Sequence, residues 1–120
     1  MNAATIADPR TERIAELNDR VREGSDPTAR ILITRACLAT FCSGDTAAGL
    51  LAQAGLIAAV RAAEFTADCP ERDFAELSFR GERVFLKVDY YDETLSWGSE
   101  DPADPARTVR VLTVMMPEDL

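Results

Sequence analysis

The sequence predicts an α+β fold: an antiparallel sheet with a central hairpin, two helices on one face and a C-terminal helix. Three observations predict it. Residues 74–91 hold two runs of strand-forming residues joined by Arg80-Gly81, the clearest hairpin signal in the chain. Two earlier segments carry apolar residues at helical spacing behind an aspartate cap. Strands and helices occupy separate stretches, which favours α+β over a doubly wound parallel sheet.

Asp8-Pro9 opens the first helix, with Asp8 as cap and Pro9 at a position where its missing amide costs nothing. Ile14, Leu17 and Val21 recur on one side and Gly24 stops the helix, giving a span of about 9–23. Residues 1–8 read as a candidate disordered tail. Residues 30–40 are rich in Ile, Leu and Thr, and their first half reads as a strand. Ser43-Gly44-Asp45 is a turn, and Asp45 caps a second helix reaching about Ala63. Leu50, Leu51, Ala54, Leu56, Ile57 and Val60 form its apolar side. Gly49 and Gly55 weaken it by about 1 kcal/mol each relative to alanine, unless they permit close packing on a sheet.

Residues 66–72 are a polar connection. In the hairpin, Val84, Leu86, Val88 and Tyr90 alternate with Phe85, Lys87, Asp89 and Tyr91, so one face meets the core and the two tyrosines point to opposite faces. Leu95-Ser96-Trp97 reads as a short further strand, and residues 98–105 as a loop with two Asp-Pro pairs. Residues 106–116 carry both periods. Val109, Val111, Thr113 and Met115 alternate, while Val109, Leu112 and Met116 sit at helical spacing behind Asp104-Pro105. The cap is the more positional signal, and a helix is favoured. The expected core is Leu17, Ile33, Ile57, Val60, Phe79, Val84, Leu86, Val88 and Leu112.

A chain of 120 residues with 47% apolar composition fits one domain, 1–120, with a real core. No apolar run reaches the 18 residues that a membrane span needs, and the N-terminus shows no secretion signal. Cys37, Cys42 and Cys69 make an odd number at spacings unlike a disulfide framework, which fits a reducing, cytoplasmic setting. Without histidine, neither a zinc site nor the common general base is at hand. No phosphate loop follows a strand. These absences predict a protein that is not an enzyme and has no cofactor.

The net charge of −8 is uneven. Residues 1–66 carry 8 acids and 7 bases, and residues 67–120 carry 13 acids and 6 bases. That sign disfavours direct binding to nucleic acid and to anionic membranes. It suits a partner protein with a basic surface. The acids cluster at Asp89, Asp92, Glu93, Glu100, Asp101 and Asp104. Their spacing matches no calcium loop, and solvated or capping carboxylates explain them better than a metal site does. Tyr91 and Trp97 stand beside them as candidate interface aromatics. Arg107 and Arg110, one turn apart if helical, read as a charge-paired lock on the preceding loop.

Lys87-Val88-Asp89-Tyr90-Tyr91-Asp92, then Gly98-Ser99-Glu100-Asp101-Pro102-Ala103-Asp104-Pro105, then Arg110-Val111-Leu112-Thr113-Val114-Met115 resemble the signature of a small bacterial domain family of unknown function, often carried on plasmids and other mobile elements. The resemblance runs from about residue 14 to the end and is strongest from Glu82 onward. It departs at 67–74, where relatives usually carry a histidine-containing segment that ends in His-Asp-Phe. Here Arg72-Asp73-Phe74 stands there instead. Mobile-element company implies an inhibitor of a host defence protein, one that imitates the charge of nucleic acid. Three readings follow: an acidic interaction domain, a small carboxylate-based enzyme or ligand-binding domain, and an accessory or homodimeric subunit built on an exposed strand edge.

Overall fold

In a computed structural model that describes residues 8–120, the chain builds a mixed four-stranded sheet in the order β1-β4-β3-β2, with helices α1 to α3. The expected tail at 1–8 lies outside the described residues except for Asp8, which caps α1 (Pro9–Glu23) by accepting from the amides of Arg10 and Thr11, both at 3.0 Å. Gly24 ends α1 at φ 79°, the left-handed conformation that glycine adopts without strain.

Strand β1 (Arg30–Ile33), in the first half of residues 30–40 as expected, is followed by a short helix, α2 (Arg35–Phe41), for which the sequence carried no assignment. The reason is Thr34, whose hydroxyl accepts from the Cys37 amide at 3.2 Å and so acts as a cap rather than a β-branched strand residue. Helix α3 (Thr46–Arg61) starts at the Asp45 cap, which accepts from the Ala48 amide at 2.7 Å. It buries Gly49, Ala52, Leu56 and Val60, while Leu50 and Leu51 are exposed. The helix is apolar nearly all round, so spacing alone does not single out a face. Gly55 allows the close approach: a Cβ there would lie 3.2 Å from the Phe79 ring.

Strands β2 (Phe74–Phe79) and β3 (Glu82–Tyr91) form the expected hairpin, with Ala75 opposite Leu86 and Leu77 opposite Val84. Arg80 and Gly81 both take positive φ, as the favoured two-residue hairpin turn requires. β3 lies inside the sheet and β2 at its edge. Residues 95–97 form a turn rather than a strand, with a single bridge between Tyr91 and Gly98.

The expected C-terminal helix is instead strand β4 (Val109–Met115), followed by a 3-10 turn at Pro117–Asp119. β4 sits between β3, antiparallel, and β1, parallel, so the sheet is not wholly antiparallel. Its Val and Thr side chains suit a strand that packs on both faces, and a helix would leave the β3 ladder unpaired. Asp104 spends its capping capacity on a local turn, accepting from the Ala106 amide at 2.9 Å.

Val21, Cys37, Phe41, Leu56 and Val60 from the three helices pack with Ala75, Val84, Leu86, Val88, Leu112, Val114 and Met116 from one face of the sheet. Of the expected core, Leu17, Val60, Val84, Leu86, Val88 and Leu112 are buried. Ile33 and Phe79 are half-buried against that cluster, and Ile57 is half-buried outside it. The opposite face carries Phe74 and Phe85, whose ring centroids are 5.6 Å apart, beside a Lys87–Asp89 ion pair at 3.2 Å.

Candidate functional site

The loop between β3 and β4 holds the single tryptophan and every acid of the cluster except Asp89. Asp92 shapes its first half. Its carboxylate accepts from the Thr94 amide at 3.1 Å, the Thr94 hydroxyl at 2.8 Å and the Ser96 amide at 3.1 Å. The Thr94 hydroxyl is the main reason that the Asp92 carboxyl lies below its ordinary value, with the surrounding amides adding to it. The Asp92 amide donates to the Trp97 carbonyl at 2.8 Å, and the Ser99 amide to the Tyr90 carbonyl at 2.9 Å. Trp97 therefore stands on a backbone tied at both ends, yet it is 76% exposed. It borders a shallow cavity of about 250 Å³ with Asp92, Glu93, Gly98, Glu100 and Arg107.

The eight residues singled out from the sequence take three positions. Asp92, Glu93, Trp97 and Glu100 surround that cavity, where Glu100 meets Arg107 at 3.6 Å, both side chains exposed. Asp89 and Tyr91 lie on the open sheet face, Asp89 paired with Lys87. Asp101 and Asp104 shape the second half of the loop: Asp101 accepts from the Ala103 amide at 3.3 Å and pairs with Arg10 at 3.3 Å, and Asp104 closes the turn before Arg107. Among the described residues, no group of three or more His, Cys, Asp and Glu is placed to hold a metal ion.

Beneath the loop lies a polar network that the sequence reading missed. Arg110 is 2% exposed. Its Nε donates to Asn18 Oδ1 at 2.7 Å, its Nη2 donates to the Pro102 carbonyl, and its guanidinium sits 5.1 Å from the centre of the Tyr90 ring. Asn18, fully buried, donates to the Glu71 carbonyl and to the Tyr90 hydroxyl, both at 2.9 Å. Tyr90 in turn donates to Glu71 Oε1 at 2.9 Å. Burial pushes the Tyr90 phenol far above its ordinary value, so it stays a donor. Burial also lowers the Arg110 pKa, opposed by Tyr90, Asp26 and Glu71, but an arginine remains charged.

Asp19 extends the network. Burial acts to raise its pKa, but the hydrogen bonds and charges of Arg72 and Arg22 outweigh burial and leave it lowered. Arg72 grips it bidentately, at 2.9 and 2.7 Å. Arg72 adopts φ 55°, which is unusual for a residue with a side chain. It occupies the place before Asp73-Phe74 where the sequence departs from the resemblance noted above, and there it ties the 67–74 connection to α1. The signal for Asn18 was a polar residue inside the Ile14–Leu17–Val21 stripe. The signal for Arg110 was a charge alternating inward with Leu112 and Val114. The expected arginine lock exists in altered form: Arg107 reaches outward to Glu100, and Arg110 reaches inward to the loop backbone.

No curated protein and no solved structure matches this chain. The family model described as "Protein of unknown function (DUF3768)" matches residues 43–119, from the turn before α3 through the hairpin, the Trp97 loop and β4; the chain belongs to that family.

Proposed function

We propose that this protein is a non-enzymatic interaction module whose Trp97 loop docks on a basic surface of another protein. The observation that carries the reading is the exposure of Trp97 on a backbone already held in place. A large aromatic in water offers apolar area to a partner, and a pre-tied loop loses little freedom on binding. Glu93 and Glu100 beside it supply charge that steers a basic partner and sets register. A basic surface that fits this loop is of the kind that ordinarily holds nucleic acid, so competition with nucleic acid is the finer form of the proposal.

The test is quantitative capture from native-host extract with three baits: the wild-type chain, Trp97→Ala, and Glu93→Lys/Glu100→Lys. Supporting results are a partner held by wild type, lost with Trp97→Ala, weakened by the double reversal, and released as salt rises and the Debye length falls from about 10 Å at 0.1 M to about 3 Å at 1 M. Displacement of that partner by duplex DNA supports the finer form. Equal capture by all three baits refutes the docking role of the loop.

A further inference from the structure

Arg110 is buried as a cation without a carboxylate. Among the described residues, its hydrogen bonds run to two neutral oxygens, from Asn18 and Pro102. An unpaired buried charge costs several kcal/mol, and arginine cannot escape the cost by losing its proton. Its Nη1 makes no hydrogen bond among the described residues, and the sealed, unpartnered side-chain nitrogen or oxygen found there is Arg22 Nε rather than any atom of Arg110. Arg110 borders a cavity of about 260 Å³ together with Leu17, Arg20, Ser25, Asp26 and Thr28. This cavity is distinct from the one beside Trp97.

The charges around it select a ligand class. Arg20 and Arg110 contribute two cations, and Asp26 one anion, its Oδ1 accepting from the Thr28 amide at 3.0 Å and the Thr28 hydroxyl at 2.9 Å. The lining thus carries a net charge of about +1. A dianion would be repelled by Asp26 and by the nearby C-terminal end of α1, whose dipole is negative. The volume lies below the range of about 300–1,000 Å³ typical of drug-sized ligands. We infer that the cavity binds a small monocarboxylate, with Arg110 gripping the carboxylate from inside and Arg20 from the rim. A guanidinium donates strongly to a carboxylate, and the ligand supplies the direct carboxylate contact that Arg110 lacks, since Asp26 and Glu71 favour its charge without a hydrogen bond to it.

The experiment follows the Arg110 Nε–Hε resonance of the full-length, nitrogen-15-labelled chain at neutral pH. Sodium acetate is the probe, inorganic phosphate the second arm, and sodium chloride keeps ionic strength constant. The expected result is a saturable shift of that resonance and of the Ser25 and Thr28 amides with acetate, with weaker binding of phosphate. Arg20→Gln should weaken acetate binding roughly two- to five-fold. Asp26→Asn, which keeps the turn-forming oxygen, should improve phosphate binding more than acetate binding. A resonance that does not saturate with acetate overturns the inference. Phosphate binding more tightly than acetate to the wild-type chain overturns the monoanion selection, as does an Asp26→Asn chain with unchanged preference.

Discussion

Replacing Asn18 with alanine should be among the most damaging single changes in the fold, because Asn18 ties α1 to β3 and β4. Asn18 makes three hydrogen bonds, to Arg110, Glu71 and Tyr90, and it is fully buried. The bond to the guanidinium is worth about 1.5–3 kcal/mol and each neutral bond about 0.5–1.5 kcal/mol. The variant also leaves Arg110 Nε and the Glu71 carbonyl without partners in a site with little room for water. A loss of about 3–5 kcal/mol follows, a large share of the 5–15 kcal/mol typical of a domain. Urea unfolding should show it as a midpoint lower by roughly 1.5–3 M with an unchanged slope. Far-ultraviolet circular dichroism is the right probe, because Trp97 is already exposed in the folded state and its fluorescence reports little on unfolding. Glu16→Ala, on the exposed side of the same helix, serves as the control and should stay within about 0.5 kcal/mol. A loss below about 1 kcal/mol for Asn18→Ala would refute the reasoning, since water would then be satisfying Arg110 and Glu71 in place of the amide.

Leu86→Ala, at a residue with no exposed surface in the central β3 strand, should cost about 2–5 kcal/mol by the same urea measurement. Asp19→Asn should lower stability at neutral pH, and the gap to wild type should close in acid. The folded-state pKa of Asp19 is depressed, so its contribution is present above the ordinary value of 3.8 and is lost as pH falls through the lower folded value; a gap that stays constant from pH 7 into that range contradicts the pairing with Arg72. Trp97→Ala should leave thermal stability within about 0.5 kcal/mol of wild type, because its side chain is mostly in water. Asp92→Ala should speed hydrogen exchange at the Thr94 and Ser96 amides while leaving the β3 ladder protected, as its carboxylate is their acceptor.

What the sequence made legible was local. The hairpin register follows from strict alternation, and both long helices announce themselves through Asp8 and Asp45. β4 was misread because Asp104-Pro105 carries the same two letters as Asp8-Pro9, yet Asp104 caps only a turn. Nothing in the local pattern says that β3 and β1 each need a partner on either side of residues 109–115. Helix α2 was hidden for the converse reason, since Thr34 is both a strand former and a cap. The grouping of Asp92, Glu93, Trp97 and Glu100 was visible because they are close along the chain. The pairing of Asn18 with Arg110 was not, being separated by 92 positions. The acidic cluster proved less free than its charge count implied: Asp92 is spent on its turn, and Asp89, Glu100 and Asp101 each have a basic neighbour.

Because the chain holds one tryptophan, fluorine-19 NMR of the protein labelled with 5-fluorotryptophan reports on Trp97 alone. Docking through the loop predicts a sharp signal in buffer that shifts or broadens in native-host extract. The free signal should return as salt is raised, and it should persist in extract for the Glu93→Lys/Glu100→Lys chain. A signal that stays sharp and unshifted in extract at low salt, while a partner is captured by the same chain, would place the contact elsewhere and contradict the role of the Trp97 loop.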